Sequence, residues 1–213
     1  MSAAQHRHFA LGSVPLQCGR RIDDAHIGYV QIGELNRDRT NLVLIPTSYG
    51  ARPLDLAWLA GPVLDSSRWC IVIAGMFGNG DSTSPSHGCM GLAEQGWLVH
   101  HRDNVAAQRR FLAECFGVET LPLIFGWSMG AQQAYQWAVT HPDWVQRICC
   151  LCGTTRTSPH NRLFCLSLRQ ALTADASWTG SGFDGVREHG LRTYALIYAS
   201  WAASQPFFNT LEQ

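Results

Sequence analysis

The chain of 213 residues is long enough to bury one sizeable core and too short for two ordinary domains with a linker, and its 46% hydrophobic and 15% charged residues fit a globular protein. Sixteen basic side chains balance sixteen acidic ones, so no bulk field exists to hold nucleic acid or an anionic membrane. Every basic residue is arginine, and without a lysine neither a Schiff base nor a Walker A phosphate loop can operate, which leaves Ser, Thr, Cys, Asp or Glu as the source of any nucleophile.

Alternation over 25–32 (Ala25, His26, Ile27, Gly28, Tyr29, Val30, Gln31, Ile32) predicts a half-exposed early strand, with a turn over 33–39. The next strands read differently. Residues 42–45, 69–74, 121–125 and 145–151 are short apolar blocks bounded by Gly, Pro, Ser or Asp, the pattern of strands buried on both faces of a parallel sheet. Between them lies helical periodicity. Asp103 is placed to cap a helix whose stripe is Val105, Gln108, Leu112, Cys115 and Phe116, with Gly117 as its left-handed terminator. A second helix follows Ser128, opens near Ala131 and stops at His141-Pro142. Strand and helix alternate, so the expected architecture is an α/β, doubly wound, mostly parallel sheet. After Cys152 the pattern changes to two or three amphipathic helical stretches, around 162–173 and 190–204, separated by the glycine-rich 179–185. Residues 1–152 are therefore read as core, and 153–213 as a helical cap segment over the sheet.

The stretch Met1 to Ala10, with His6, Arg7 and His8, lacks the apolar centre of a signal peptide, so the eight cysteines are read as reduced thiols in the cytoplasm. Cys70, Cys115, Cys149, Cys150 and Cys165 stand among apolar residues, where Cys acts as a small hydrophobe. The cluster Cys149, Cys150 and Cys152 has no matching second pair to close a zinc tetrahedron, so no metal is assigned.

The chemistry concentrates in Gly126-Trp127-Ser128-Met129-Gly130, which follows an apolar strand and opens a helix. That is a nucleophile elbow in its required context: the flanking residues must be nearly free of side chains, and the serine Oγ stands exposed above the sheet. The N–H of Met129 would face the oxyanion formed when Ser128 attacks a carbonyl, helped by the positive end of the helix. A second oxyanion donor in such an arrangement comes from the loop after the strand at 42–45, here Pro46-Thr47-Ser48-Tyr49-Gly50, and the backbone of Ser48 is the expected donor, with Thr47 the neighbouring alternative.

The run from Gly126 through Ala138 with His141-Pro142-Asp143-Trp144-Val145, the segment Asp103 to Gln108 with Phe116-Gly117-Val118, and Arg169-Gln170-Ala171-Leu172, Asp175, Trp178, Gly180 and Gly190-Leu191-Arg192 together resemble the homoserine O-acetyltransferase family of the α/β-hydrolase superfamily. The resemblance covers nearly the whole chain. It implies an α/β-hydrolase fold with a helical cap, and a ping-pong transfer in which Ser128 takes an acetyl group from acetyl-CoA and passes it to the hydroxyl of homoserine or a related alcohol. No metal or bound cofactor is implied; acetyl-CoA would be a co-substrate. Arg169 matches a family position that lines the active-site tunnel and contacts the substrate carboxylate, a role that suits a planar, always-charged fork, while its bland alternative is a solvated helix arginine. A homodimer through the cap is a further expectation. The chain departs from the family pattern at 46–50 and at 78–85, and the elbow alone does not separate water from an alcohol as acceptor, so an esterase is the alternative.

In this fold the order is Ser, then Asp or Glu, then His, the last two after later strands. The expectation is a truncated or incomplete product that ends at Gln213 before those strands, with the catalytic acid and base lost from, or lying beyond, this chain. His87, His100, His101, His141, His160 and His189 read as loop or surface histidines, and Asp143 and Asp175 as capping or surface residues. Two functions follow: a serine acyltransferase or hydrolase, or a non-catalytic remnant that keeps a binding pocket or a dimerising cap.

Overall fold

The computed structural model describes residues 5–85 and 98–211. One six-stranded sheet runs in the order β1-β2-β4-β3-β5-β6, with β1 at Gln5–Pro15, β2 at Arg21–Ile32, β3 at Leu42–Pro46, β4 at Cys70–Ala74, β5 at Leu123–Trp127 and β6 at Ile148–Leu151. β2 pairs antiparallel with β1 and β4, whereas the β4/β3, β3/β5 and β5/β6 ladders are parallel. Helix α1 spans His101–Phe116 and α2 spans Met129–Thr140. The described residues fall into two compact units, one up to Thr155 and one from Arg156 onward.

β3 and β4 are buried at every residue, because both faces of the sheet are covered. Successive side chains alternate between the two faces. Leu42, Leu44, Cys70 and Val72 join one cluster with Val105, Phe111, Leu112 and Trp137 of the two helices. Val43, Ile45, Ile71 and Ile73 join the other with Leu56, Leu59 and Leu64. Among the described residues of this unit, α1 and α2 thus cover the same face, and a 3₁₀ helix at Pro53–Leu59 covers the opposite one. Each fully buried Leu, Ile or Phe here contributes ~1.5–3 kcal/mol relative to an exposed side chain.

Several expectations need correction. β1 was not foreseen: as an edge strand it is mostly exposed, carries His6, Arg7 and His8, and is broken by irregularities around Gly12, which takes φ 63°. β2 starts at Arg21 and is more buried than its alternation implies, because side chains on both of its faces are covered: Ile27 and Tyr29 join the cluster with Phe111, and Val30 joins the opposite one with Leu56. The block at 145–151 yields only the four-residue β6, half-buried to exposed, with β5 as its one partner among the described residues. Asp103 is the third helical residue of α1 rather than its N-cap: its carboxylate accepts the N–H of His100 at 2.7 Å and that of Gln17 at 2.7 Å. A carboxylate satisfies orphan amides from either position, which is why sequence alone misplaced it by a turn. Gly117 ends α1 in the left-handed region, as expected.

The second unit holds α3 at Pro159–Thr173, α4 at Glu188–Ala202 and α5 at Gln205–Leu211. α3 and α4 pack through Phe164 stacked on Trp201 at 4.6 Å and His160 against the same ring at 4.7 Å. Asp175, read as a capping residue, is one: it accepts the amide of Gly190 in the first turn of α4 at 2.7 Å and both the amide and hydroxyl of Ser177. Among the described residues, no helix is long and apolar enough to cross a membrane.

Candidate active site

Ser128 is the single residue between β5 and α2, and it sits at φ 54°, ψ −119°, a region that L-residues other than glycine rarely enter. Three anchors hold it there. Its N–H donates to Leu151 of β6 at 2.8 Å, and its carbonyl accepts from Ala131 at 3.0 Å and Gln132 at 3.3 Å. The side chain is half-buried, and its hydroxyl makes no hydrogen bond to a described residue.

The two glycines of the motif are required by contact rather than by their own dihedrals. A Cβ on Gly126 would lie 2.6 Å from the Ala131 nitrogen and collide with the Gly130 carbonyl. A Cβ on Gly130 would run into the carbonyl of Pro46. A third glycine escaped the sequence reading: a Cβ on Gly153 would lie 2.7 Å from the Ser128 carbonyl and strike Ala131. Its one signal was a glycine just beyond a strand, which also fits an ordinary turn.

The contact between Gly130 and Pro46 brings the start of α2 against the end of β3, and so places the loop at 46–50 beside the elbow. There the two candidate amides differ. Thr47 N–H is committed to the carbonyl of Ala74 at 3.0 Å. Ser48 N–H has no partner among the described residues, and its carbonyl accepts from Ala51 at 3.1 Å. The Met129 amide opens α2 and has no intrahelical acceptor. Thr47 is fully buried, and its hydroxyl has no hydrogen-bond partner among the described residues. Trp127, 40% exposed, flanks Ser128 and meets the exposed Trp58 edge-on at 6.3 Å.

Behind this surface lies a buried polar layer, of which the helical stripe expected from sequence contains only Gln108. Trp137 Nε1 donates to Gln108 Oε1 at 2.9 Å, Gln108 Nε2 to Gln133 Oε1 at 2.8 Å, and Gln133 Nε2 to the Thr47 carbonyl at 2.9 Å. The segment at 78–85, one of the two departures from the family pattern, is pinned by buried hydroxyls: Ser82 accepts from the Gly28 amide at 3.1 Å and Thr83 from the His26 amide at 2.7 Å. Asn79 of that segment donates to the Ala51 carbonyl and ties it to the loop after β3.

None of the described histidines hydrogen-bonds Ser128. His100 precedes α1, and His101 meets the side chain of Gln132 at 3.3 Å, with burial pulling its pKa below the ordinary imidazole value. His141 closes α2, its ring against Trp137, and burial followed by the charge of Arg109 lowers its pKa as well. His160 rests on Trp201, His189 is exposed on α4, and His87 lies outside the described residues. Asp143 is exposed. Ser128, Met129 and Ser48 share the first unit, whereas Arg169 belongs to the second, where it is exposed on α3 and lines an open groove of about 820 Å³ with Leu166, Gln170, Thr193 and Ile197. Among the described residues no group of three His, Cys, Asp or Glu side chains is placed to hold a metal ion.

The sequence is similar to an ethyl acetate hydrolase of Pseudomonas veronii, 36% identical over 206 residues that cover 94% of this chain and 59% of that protein. It is also similar to a homoserine O-acetyltransferase of Zymomonas mobilis, 31% identical over 81% of this chain and 51% of that protein. The structure superposes on that of the acetyl esterase MekB with a TM-score of 0.90 at 35% identity, covering 97% of this chain and 61% of the other. The chain thus spans about three fifths of the length of these esterase relatives. A family model described as the alpha/beta hydrolase fold matches residues 41–191, from the strand before the Ser48 loop through the elbow into α4, and the chain belongs to that family.

Proposed function

We propose that the chain is a serine-nucleophile enzyme that takes a short acyl group of the acetyl class from an ester onto Ser128 and releases it to water. The observation that carries this reading is the backbone of Ser128, held at φ 54° beside the amides of Met129 and Ser48, neither of which has a hydrogen-bond partner among the described residues. The names of the more similar relatives, an ethyl acetate hydrolase and an acetyl esterase, support an ester as substrate.

The Ser128 Oγ–carbon bond forms as the carbonyl π pair moves onto oxygen, and the N–H groups of Met129 and Ser48 receive that oxyanion. Removing one such donor typically costs ~10²–10³ in kcat. Collapse breaks the bond to the leaving alkoxide, which takes up the proton that Ser128 gives away, and water then cleaves acetyl-Ser128. In this fold the proton passes through a histidine held by a carboxylate after later strands. No bound cofactor enters this scheme.

A second version passes the acetyl group from acetyl-CoA to a hydroxyl acceptor, with Arg169 holding the acceptor's carboxylate; the likeness to homoserine O-acetyltransferases favours it. Cytoplasmic location fits either version, since the described cysteines are all free thiols. A homodimer through the second unit belongs to the same proposal, since Leu163, Leu191 and Leu196 are exposed on its helices; sedimentation at the monomer mass overturns that part.

The test is labelling by a fluorophosphonate and by p-nitrophenyl acetate, with the modified residue read by mass spectrometry. Modification of Ser128, lost in Ser128→Ala, is expected, with acetate as the product in water. Formation of O-acetylhomoserine when homoserine and acetyl-CoA are supplied selects the transferase version. A Ser128 inert to both reagents refutes both and leaves a non-catalytic binding module.

A further inference from the structure

The buried chain of donors behind the elbow points in one direction. Tryptophan can only donate and a peptide carbonyl can only accept, so Trp137 at one end and the Thr47 carbonyl at the other fix the orientation of both intervening carboxamides. Gln108 must turn its oxygen to Trp137 and its nitrogen to Gln133, and Gln133 must turn its nitrogen to Thr47. Gln108, Gln133 and Thr47 are all fully buried.

The last link is the informative one. The Thr47 carbonyl belongs to the same planar peptide as the Ser48 N–H, and in a trans peptide, as this one is, the two point in opposite directions. On the residue before that peptide, Thr47 N–H is bound to Ala74; on its carbonyl, Gln133 is bound at 2.9 Å. The peptide is therefore held at its carbonyl and at the residue before it, and its N–H, without a partner among the described residues, is the one left to face a ligand. Two buried carboxamides are a costly way to fill space that Leu or Met would fill without unpaired groups. Aligned hydrogen bonds in a low-dielectric layer polarise one another, so each donor upstream strengthens the last.

We propose that Gln133, backed by Gln108, is a positioning residue for the oxyanion site: it sets the tilt of the Thr47–Ser48 peptide and polarises the Ser48 N–H. The inference rests on the acyl-Ser128 reading above.

The experiment uses the full chain with Gln133→Met and, as the milder variant two bonds from Ser48, Gln108→Met. Thermal melting establishes folding. Ser128 is acetylated with p-nitrophenyl acetate labelled with carbon-13 at the carbonyl, and both the saturating acetylation rate and the infrared carbonyl stretch of acetyl-Ser128 are read. Gln133→Met should lower the saturating rate about tenfold, part of the ~10²–10³ that loss of a whole donor costs, with the half-saturating ester concentration little changed. Its carbonyl stretch should move to higher frequency, as that of a less polarised carbonyl does. Gln108→Met should move both in the same direction by less. A folded Gln133→Met with unchanged rate and stretch overturns the proposal and leaves the pair as structural. If Gln133→Met does not fold, Gln108→Met decides on the same two readouts. No acetylation of Ser128 in the unsubstituted chain refutes the functional reading and this inference with it, an outcome distinct from acetylation without a shift.

Discussion

Replacing Ser128 by glycine should stabilise the protein. At φ 54°, ψ −119° the backbone is close to the mirror image of the polyproline region, which glycine enters freely and a residue with a Cβ does not. Holding an L-residue there costs ~1–3 kcal/mol. Glycine carries its own penalty, since its freer unfolded chain costs roughly 0.5–1 kcal/mol relative to alanine. The difference favours Ser128→Gly by about 1 kcal/mol, within limits of about 0 and 2.5, which for a chain of this size raises Tm by about 2–4 °C per kcal/mol. Ser128→Ala is the control: it removes the hydroxyl but keeps the Cβ, so it keeps the strain. Thermal and urea melts of the three proteins provide the comparison. At an ordinary position the glycine variant melts below the alanine variant; here the order should invert. A glycine variant less stable than the alanine variant by the usual margin would show that the elbow stores no strain, and would remove the physical reason for treating Ser128 as a residue held in place for chemistry.

Two further outcomes follow from groups the structure singles out. Thr47→Val keeps shape while deleting a fully buried hydroxyl that has no partner among the described residues, so it should raise stability by about 1–2 kcal/mol; a lower Tm would mean that the hydroxyl is bonded in solution. Asp175 has its pKa drawn down from 3.8 to about 2, first by the hydroxyl and amide of Ser177 and then by the amide of Gly190. Because the folded value lies below the unfolded one, the stabilisation is complete above about pH 4 and is lost as pH falls toward about 2. Melts from about pH 5 to about pH 2.5 should therefore show an acid-dependent loss that Asp175→Ala flattens, and parallel curves for the two proteins would refute the assignment.

How far the sequence exposed the fold depended on how completely each element is covered. β3 and β4 were legible because sheet neighbours and apolar layers bury every side chain, so their sequences are uninterrupted apolar runs. Among the described residues, β1 and β6 each have a strand neighbour on one edge only; β1 carries histidines and arginine, and β6 ends in an exposed leucine, so neither has the pattern of an interior strand. The elbow was legible because its pattern is short: Gly126 is demanded by atoms of Gly130 and Ala131, at most five residues on, and Gly130, although the atom that demands it is on the distant Pro46, falls within the same five-residue motif. Gly153 was not, because the atoms that require it, on Ser128 and Ala131, are more than twenty residues away along the chain. Gln108 and Gln133 were hidden for a related reason. A glutamine on the buried face of a helix reads as an interruption of the stripe until its partner on another helix is known.

Several departures from local rules in the first unit gather around one peptide, beside others elsewhere in it: Asp24, Arg39 and Cys152 also take positive φ, and His6 Nε2 and Gln136 Nε2 are also buried without a hydrogen-bond partner among the described residues. A serine holds a glycine-like conformation, two carboxamides occupy the core, and, among the described residues, a buried threonine hydroxyl and two amides have no hydrogen-bond partner. The strained serine and the unpartnered hydroxyl lower stability when taken alone, whereas the carboxamides are satisfied by their partners, and together they surround the Thr47–Ser48 peptide and the start of α2. Sequences that fold well keep local preference and global structure in agreement, and departures from that agreement collect where function requires them. Their proximity supports the proposal that this surface of the first unit carries the chemistry. If so, variants that relieve these departures, Ser128→Gly and Thr47→Val, should gain stability, whereas conservative changes to the two glutamines, which are satisfied, should not.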